Sequence, residues 1–335
     1  MKTFNFLIWS LIITGISACN PANPPEIMTV LGPISPSEIG TTLAHEHILV
    51  DFIGADSTGY HRWEKEAVIE KALPFLKELQ EKGCQTLMEC TPAYLGRDPV
   101  LMKMISEKTG LNILTNTGYY GARNNIFIPS AALEMSPEEL AAQWIDEFYN
   151  GIEGTGVRPG FIKMAVDRND SLMPMHKTLI QAAALAHLET GLVIMSHTGP
   201  EKPAFEQIST LVEYGVSPEA FIWTHAQAGS LEGWIRAARM GAWVSLDNVN
   251  EKRIPVYIEN LTAIKAAGFL HKVLISHDSG WYRVGQKDGG RYNGYTAIFT
   301  ALIPALLENG FNEDDIEGLL HHNPARAFSI QIRTM

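Results

Sequence analysis

Cysteine is scarce in this chain: three residues in 335, at positions 19, 84 and 90. That count excludes the cross-linked scaffold of a small secreted domain. Basic residues are few as well, 26 against 37 acidic ones, for a formal charge of −11. Apart from the pair Lys252-Arg253 they are scattered, with no basic stripe and no interleaved aromatic platform. A nucleic-acid surface is therefore excluded. The apolar stretch at residues 4–18 is too short to span a bilayer stably. No low-complexity tract, short-period repeat or long internal linker interrupts the rest. Hydrophobic residues make up 46%, which rules out a disordered chain and suffices for one large core.

The N-terminus reads as a targeting segment. Lys2, the apolar stretch and the small residues that close it describe a signal peptide over 1–18. Ile16-Ser17-Ala18-Cys19 resembles the lipobox of bacterial lipoproteins, which implies that Cys19 is diacylated and becomes the first mature residue. Residues 19–26, rich in proline and asparagine, then read as a lipidated tether. The expectation is an exported chain anchored in the bacterial cell envelope, on the periplasmic or outer-membrane face, touching membrane only through its lipid. Cys84 precedes and Cys90 lies within a strand expected at 85–91, and six residues of strand separate their sulfurs by ~20 Å at ~3.3 Å per residue. Both are expected to be buried free thiols.

From residue 40 onward, short β-branched runs alternate with longer amphipathic patterns. Strands are expected at 42–50, 85–91, 112–117, 160–166, 192–197, 220–225, 242–247 and 272–278. Helical patterns lie between them, among others at 64–80, 136–149, 175–189 and 203–214. Ser136 with Glu139 forms a capping box, and Gly110, Gly191 and Gly241 stand where helices should stop. Eight strands alternating with helices imply parallel βαβ units, and the count favours an α/β fold of the (β/α)8 TIM-barrel type over 27–335.

Catalytic groups of such barrels come from the C-terminal ends of the strands. Metal-capable residues recur there. His45 and His47 stand two apart on the first strand, so both imidazoles can reach one ion while Glu46 points away. His197 ends the fifth strand, His225 the sixth and Asp278 the eighth. Any one of these could be an ordinary strand-end residue, but four histidines and an aspartate at the same end of one barrel form a divalent-metal donor set. Lys163 lies in the apolar run Gly-Phe-Ile-Lys-Met-Ala-Val, where an unpaired ammonium would be costly. Burial favours the neutral amine, and a neutral amine reacts with CO₂ to an anionic carbamate that offers two oxygens.

At these residues the sequence resembles the phosphotriesterase-like family of the amidohydrolase superfamily. The run from Gly40 to His47 is similar to the family's opening motif. Lys163, His197, His225 and Asp278 follow in the family's order, and Gly96-Arg97-Asp98, Thr117-Gly118-Tyr119-Tyr120 and the ending Asn323 to Phe328 are similar too. The resemblance implies two divalent ions, Zn²⁺ by default. One would be held by His45, His47 and Asp278, the other by His197 and His225, with carboxylated Lys163 bridging them. It also implies a hydroxide shared by the ions as nucleophile and Asp278 as the general base. Catalytic roles thus fall on Asp278, Lys163 and Tyr120.

The resemblance leaves the substrate open. Tyr120 stands where lactonases of this family place a tyrosine and true phosphotriesterases a tryptophan, which favours a lactone or related carboxylic ester over a phosphotriester or phosphodiester. A non-catalytic binding protein is the remote alternative. Asn248 stands where the quorum-signal lactonases of the family carry an arginine, which points away from an acyl-homoserine lactone. Asn248, Lys252, Arg253, Trp281 and Arg283 are the expected substrate contacts besides Tyr120, the cations serving a carboxylate or phosphate on a sugar-derived lactone. A homodimer is expected from the resemblance.

Overall fold

The structure, a computed structural model, describes residues 25–335; the expected signal peptide, Cys19 and most of the tether lie outside them. Eight parallel barrel strands follow one another. They are β1 (Thr42–Glu46), β2 (Thr86–Glu89), β3 (Asn112–Leu114, resuming at Asn116–Thr117), β4 (Phe161–Ala165), β5 (Ile194–His197), β6 (Phe221–Thr224), β7 (Trp243–Leu246) and β8 (Val273–Ile275). Each neighbouring pair is parallel from β1 to β8. The ring closes where the Asp278 N–H donates to the His45 carbonyl (3.0 Å) and the His45 N–H to Ser276 Oγ (2.9 Å). Between strands run α1 (Lys65–Glu81), α2 (Pro99–Thr109), α3 (Pro137–Asn150), α4 (Pro174–Thr190), α5 (Glu201–Glu213), α6 (Leu231–Met240) and α7 (Ile254–Ala266). Three shorter helices, α8 (Ile303–Glu308), α9 (Glu313–Glu317) and α10 (Asn323–Phe328), end the chain.

The alternation of side chains along each strand separates two cores. Leu43, Leu87, Ile113, Ile162, Ile194, Trp223, Val244 and Val273 face outward and pack under the helices. Ala44, Met88, Leu114, Phe161, Met195, Ile222, Trp243 and Leu274 face inward and fill the barrel. Ile27, from a hairpin of Ile27–Thr29 with Gly32–Ile34, and Phe328 from α10 close the bottom, Phe328 meeting Phe161 edge-on at 5.5 Å. The lower barrel is apolar, and the polar inward positions collect at the upper end.

Helix ends follow their local chemistry. The Glu139 N–H donates to Ser136 Oγ and the Ser136 N–H to the Glu139 carboxylate, while Gly110, Gly191 and Gly241 end helices in the left-handed region. The strands are shorter than the apolar runs suggest. The expected strand at 42–50 breaks at His47, whose N–H donates to the Ser279 carbonyl (2.9 Å); Leu49–Val50 then pairs with Tyr282–Arg283. β6, β7 and β8 stop before His225, Asn248 and Asp278 because these residues take φ of 59°, 70° and 54°. Left-handed backbone on non-glycine residues is strained, and here it turns side chains over the barrel mouth. Cys84 and Cys90 are buried free thiols, as expected.

Candidate metal centre

The upper end of the barrel gathers the six residues His45, His47, Lys163, His197, His225 and Asp278. Ligand atoms of His45, His47 and Asp278 all lie within 4.8 Å of one another. His47 Nε2 stands 3.1 Å and His45 Nε2 3.9 Å from Asp278 Oδ1. On the other side, His225 Nε2 faces His197 Nδ1 at 2.8 Å and Asp278 Oδ2 at 3.9 Å. Lys163 Nζ lies between the groups, 3.3 Å from His45 Nε2, with its side chain buried.

Hydrogen bonds around the rings fix which nitrogen is free. The Thr91 hydroxyl gives its one hydrogen to the Leu49 carbonyl (2.9 Å), so the 2.8 Å contact with His47 must be donated by the ring Nδ1–H. His47 Nε2 is thereby left as a lone pair aimed at Asp278. Asp247, absent from the sequence-based site, does comparable work for two rings. Its carboxylate accepts the His225 backbone N–H (2.8 Å) and the Ser245 hydroxyl (2.8 Å), and lies 3.3 Å from His45 Nδ1 and 3.4 Å from His225 Nδ1. The ring nitrogens approach the carboxylate closely without the geometry of a linear hydrogen bond. Asp247 with His45 and His225 is a second metal-capable triple. Because its oxygens already accept two donors, we read it as the group that aims the rings.

Electrostatics agree with a ligand set. Burial, then Lys163, holds His45 far below the ordinary histidine range; burial, then His225, does the same for His197. Both are neutral ligands at ordinary pH. Burial alone would raise Asp278, but the neighbouring imidazoles of His45, His47 and His225 outweigh it and hold the carboxyl at about 2. Lys163 is the misfit of the protein-only arrangement. Among the described residues its sole hydrogen-bond partner is another basic group, and no carboxylate comes within ion-pair distance. The donor chemistry fits a pair of divalent ions with an anionic bridge at Lys163.

Two glycines make the geometry feasible. A Cβ on Gly280 (φ 95°) would fall 1.8 Å from the His47 carbonyl oxygen, and one on Gly118 (φ 109°) 2.3 Å from that of Lys163. Glu46 points away from the rings, as expected, accepting from the Ser276 hydroxyl (2.7 Å) and the His277 and Ser279 backbone N–H groups. His277 faces Glu46 through Nδ1 (2.8 Å) and accepts the Ile298 N–H through Nε2, so it stays outside the cluster. His61 and His322 are exposed. Asp98 of the Gly-Arg-Asp run caps α2, and Arg97 forks onto Glu147 at 2.8 and 2.7 Å.

Of the expected substrate contacts, Tyr120 and Trp281 border the cluster. Tyr120 packs on His197 (ring centroids 5.2 Å apart) and Trp281 on His47 (4.3 Å), its indole N–H donating to the Asp278 carbonyl. Burial, then Asp278, raises the Tyr120 phenol, so it remains a donor at ordinary pH. Phe52 and Phe127 extend this aromatic rim. Asn248 sits at the end of β7, half-buried. Arg283 lies near Trp281 (5.9 Å) but donates to the Arg291 carbonyl, and Lys252 and Arg253 are exposed on a turn of Glu251–Arg253.

Comparison with known proteins agrees with this arrangement. The profile of the phosphotriesterase family matches residues 25–328. The chain is 31% identical to the phosphotriesterase homology protein of Escherichia coli (strain K12), over 86% of this chain and 98% of that one. It is 30% identical to the aryldialkylphosphatase of Saccharolobus solfataricus (88% and 97% covered) and 26% identical to the N-acetyltaurine hydrolase of Salmo salar (90% and 97%). The latter two relatives are hydrolases by name, and the profile runs through every residue of the cluster, from His45 to Asp278. A closed (β/α)8 barrel with histidines, a lysine and an aspartate converging at its mouth is thus matched along almost its whole length, and the chain belongs to the phosphotriesterase family, a family of metal-dependent hydrolases.

Proposed function

We propose that this protein is a binuclear metal hydrolase that opens a lactone or a related carboxylic ester. The observation that carries the reading is the convergence of His45, His47, Lys163, His197, His225 and Asp278 on one buried volume at the barrel mouth. His45, His47 and Asp278 would hold one ion, His197 and His225 the other, Zn²⁺ suiting the imidazole-rich set. When bound, the ions polarise the substrate oxygen and make water a nucleophile at neutral pH. Lys163 would enter as a carbamate: its amine nitrogen attacks the carbon of CO₂ and releases a proton, leaving an anion with two oxygens in place of a base facing a base. Asp278, ionised at ordinary pH, takes the proton of the attacking water. The Tyr120 phenol donates to the ring or leaving-group oxygen.

An acyl carbon is favoured over phosphorus by that phenol, and the N-acetyltaurine hydrolases among the relatives act on an N-acyl compound. Phosphotriester hydrolysis is the second reading, favoured by the aryldialkylphosphatase relative. Measuring kcat/KM for a neutral lactone and an aryl dialkyl phosphate on one metal-replete preparation decides between them. The lactone is expected to win, and a faster phosphotriester would reverse the choice. We further propose that lipid on Cys19 anchors the chain; membrane fractionation of wild type against Cys19→Ser should differ, and identical distributions would refute it.

A further inference from the structure

Two guanidinium groups that the metal centre does not use stand at its rim. Arg123 follows β3 and lies over two rings of the aromatic rim, 5.7 Å from the Phe52 centroid and 5.6 Å from that of Phe127. Phe127 packs on Tyr120 at 5.7 Å, and Tyr120 on His197. Arg168 follows β4 and crosses Gly199, two residues beyond His197. A Cβ on Gly199 would lie 2.9 Å from both Arg168 Nε and Nη2. The two cations therefore reach the Tyr120 side of the centre from adjacent strand ends. Among the described residues, neither guanidinium has a carboxylate within ion-pair distance or makes a side-chain hydrogen bond.

The backbone that presents Arg123 is built for the purpose. Arg123, Asn124 and Asn125 take φ of 60°, 58° and 62°, three successive residues in the left-handed region, of which only the asparagines tolerate it well. Asp167, next to Arg168, holds this turn: its carboxylate accepts the Arg123 N–H (2.6 Å) and the Asn124 N–H (3.1 Å). One aspartate thus ties the two arginine-bearing loops together while spending its oxygens on backbone rather than on either guanidinium. An arginine laid on an aromatic face keeps its N–H edge free for a planar oxyanion.

Resting on the acyl-hydrolase reading above, we infer that the substrate carries a compact oxyanion, a carboxylate, sulfonate or phosphate, held between Arg123 and Arg168 while its acyl carbon lies over the metal centre. Lys252 and Arg253 are exposed, as Arg123 and Arg168 are, but among the described residues neither lies over a ring of the aromatic rim or against Gly199, and Arg283 is engaged with the Arg291 carbonyl. The oxyanion supplies binding and orientation; Arg123 and Arg168 are positioning residues and take no proton.

The test compares para-nitrophenyl hydrogen glutarate with its neutral methyl ester, which share one acyl centre, on metal-replete wild type and on Arg123→Gln, Arg168→Gln and the double variant. The wild-type kcat/KM ratio of anionic to neutral ester should be roughly 10- to 100-fold, carried mainly by KM and falling as salt rises. The double variant should bring it near one, with Arg123→Lys and Arg168→Lys intermediate because they keep charge but lose the fork. A wild-type ratio near one, or a ratio kept by the double variant, overturns the inference and leaves the hydrolase reading standing. If neither ester turns over, it is the hydrolase reading that fails, and calorimetric titration with glutarate decides the anion site separately. Binding by wild type that the double variant loses upholds the site; equal or absent binding in both overturns it.

Discussion

Replacing Asp247 with asparagine should strip the protein of tightly held metal without unfolding it. The buried carboxylate faces four donors: the His225 N–H and the Ser245 hydroxyl at 2.8 Å, and the Nδ1 atoms of His45 and His225 at 3.3 and 3.4 Å. An asparagine oxygen keeps one or two of these. Its NH₂ group, however, must face a ring N–H or a backbone donor, and the negative charge that favours an Nδ1–H tautomer on both rings is gone. Loss of such an orienting partner lowers metal affinity by about 10–100-fold per ion, or roughly 1.4–2.7 kcal/mol. His45 and His225 belong to different proposed ions, so both should weaken. Competition against a chromophoric chelator gives the two affinities, and a melting curve of the metal-free protein reports folding. If Asp247→Asn holds both ions within about threefold of wild type, a change below 1 kcal/mol, the orienting role is wrong.

Lys163→Ala should lose metal and nearly all ester hydrolysis, with partial recovery in added acetate or propionate, because a free carboxylate also offers two oxygens; a fully active variant would contradict the bridging role. Gly280→Ala should lower the melting temperature and weaken metal binding together, since its Cβ would press on the His47 carbonyl; an unchanged melt would show that the loop yields freely. In a Cys19→Ser chain, Cys84 and Cys90 should both titrate with a thiol reagent after denaturation without reductant, and neither in the folded state, where burial pushes Cys84 up to about 12 and Cys90 further. Finding no thiol after denaturation would mean that they are bonded.

The barrel was legible because its strands are short apolar runs ending in polar residues, a pattern that follows directly from an apolar lower core and a functional upper rim. Met195-Ser196-His197 and Trp223-Thr224-His225 carry that grammar in three residues each. The bends were not legible. His225, Asn248 and Asp278 adopt left-handed backbone that no local signal specifies, and the surrounding contacts impose it. Asp247 carries no local signal, because Ser-Leu-Asp at the end of β7 looks like any strand end; its role depends on His45, some 200 residues away. Arg123 and Arg168 were invisible for the same reason, since their surroundings come from Phe52, Phe127 and Gly199. The cations at 252, 253 and 283 stand out in the sequence because they lie in the loops after the seventh and eighth strands, whereas distance from the cluster is visible only in the fold.

Diffraction from crystals of the purified protein, recorded on both sides of the metal absorption edge, addresses the metal centre most directly. Two anomalous peaks ~3.5–4 Å apart are expected, one among His45, His47 and Asp278 and one between His197 and His225, with density extending beyond Lys163 Nζ as a carbamate. A fully active preparation showing a single peak, or a bare lysine amine between two ions, would contradict the binuclear, lysine-bridged centre.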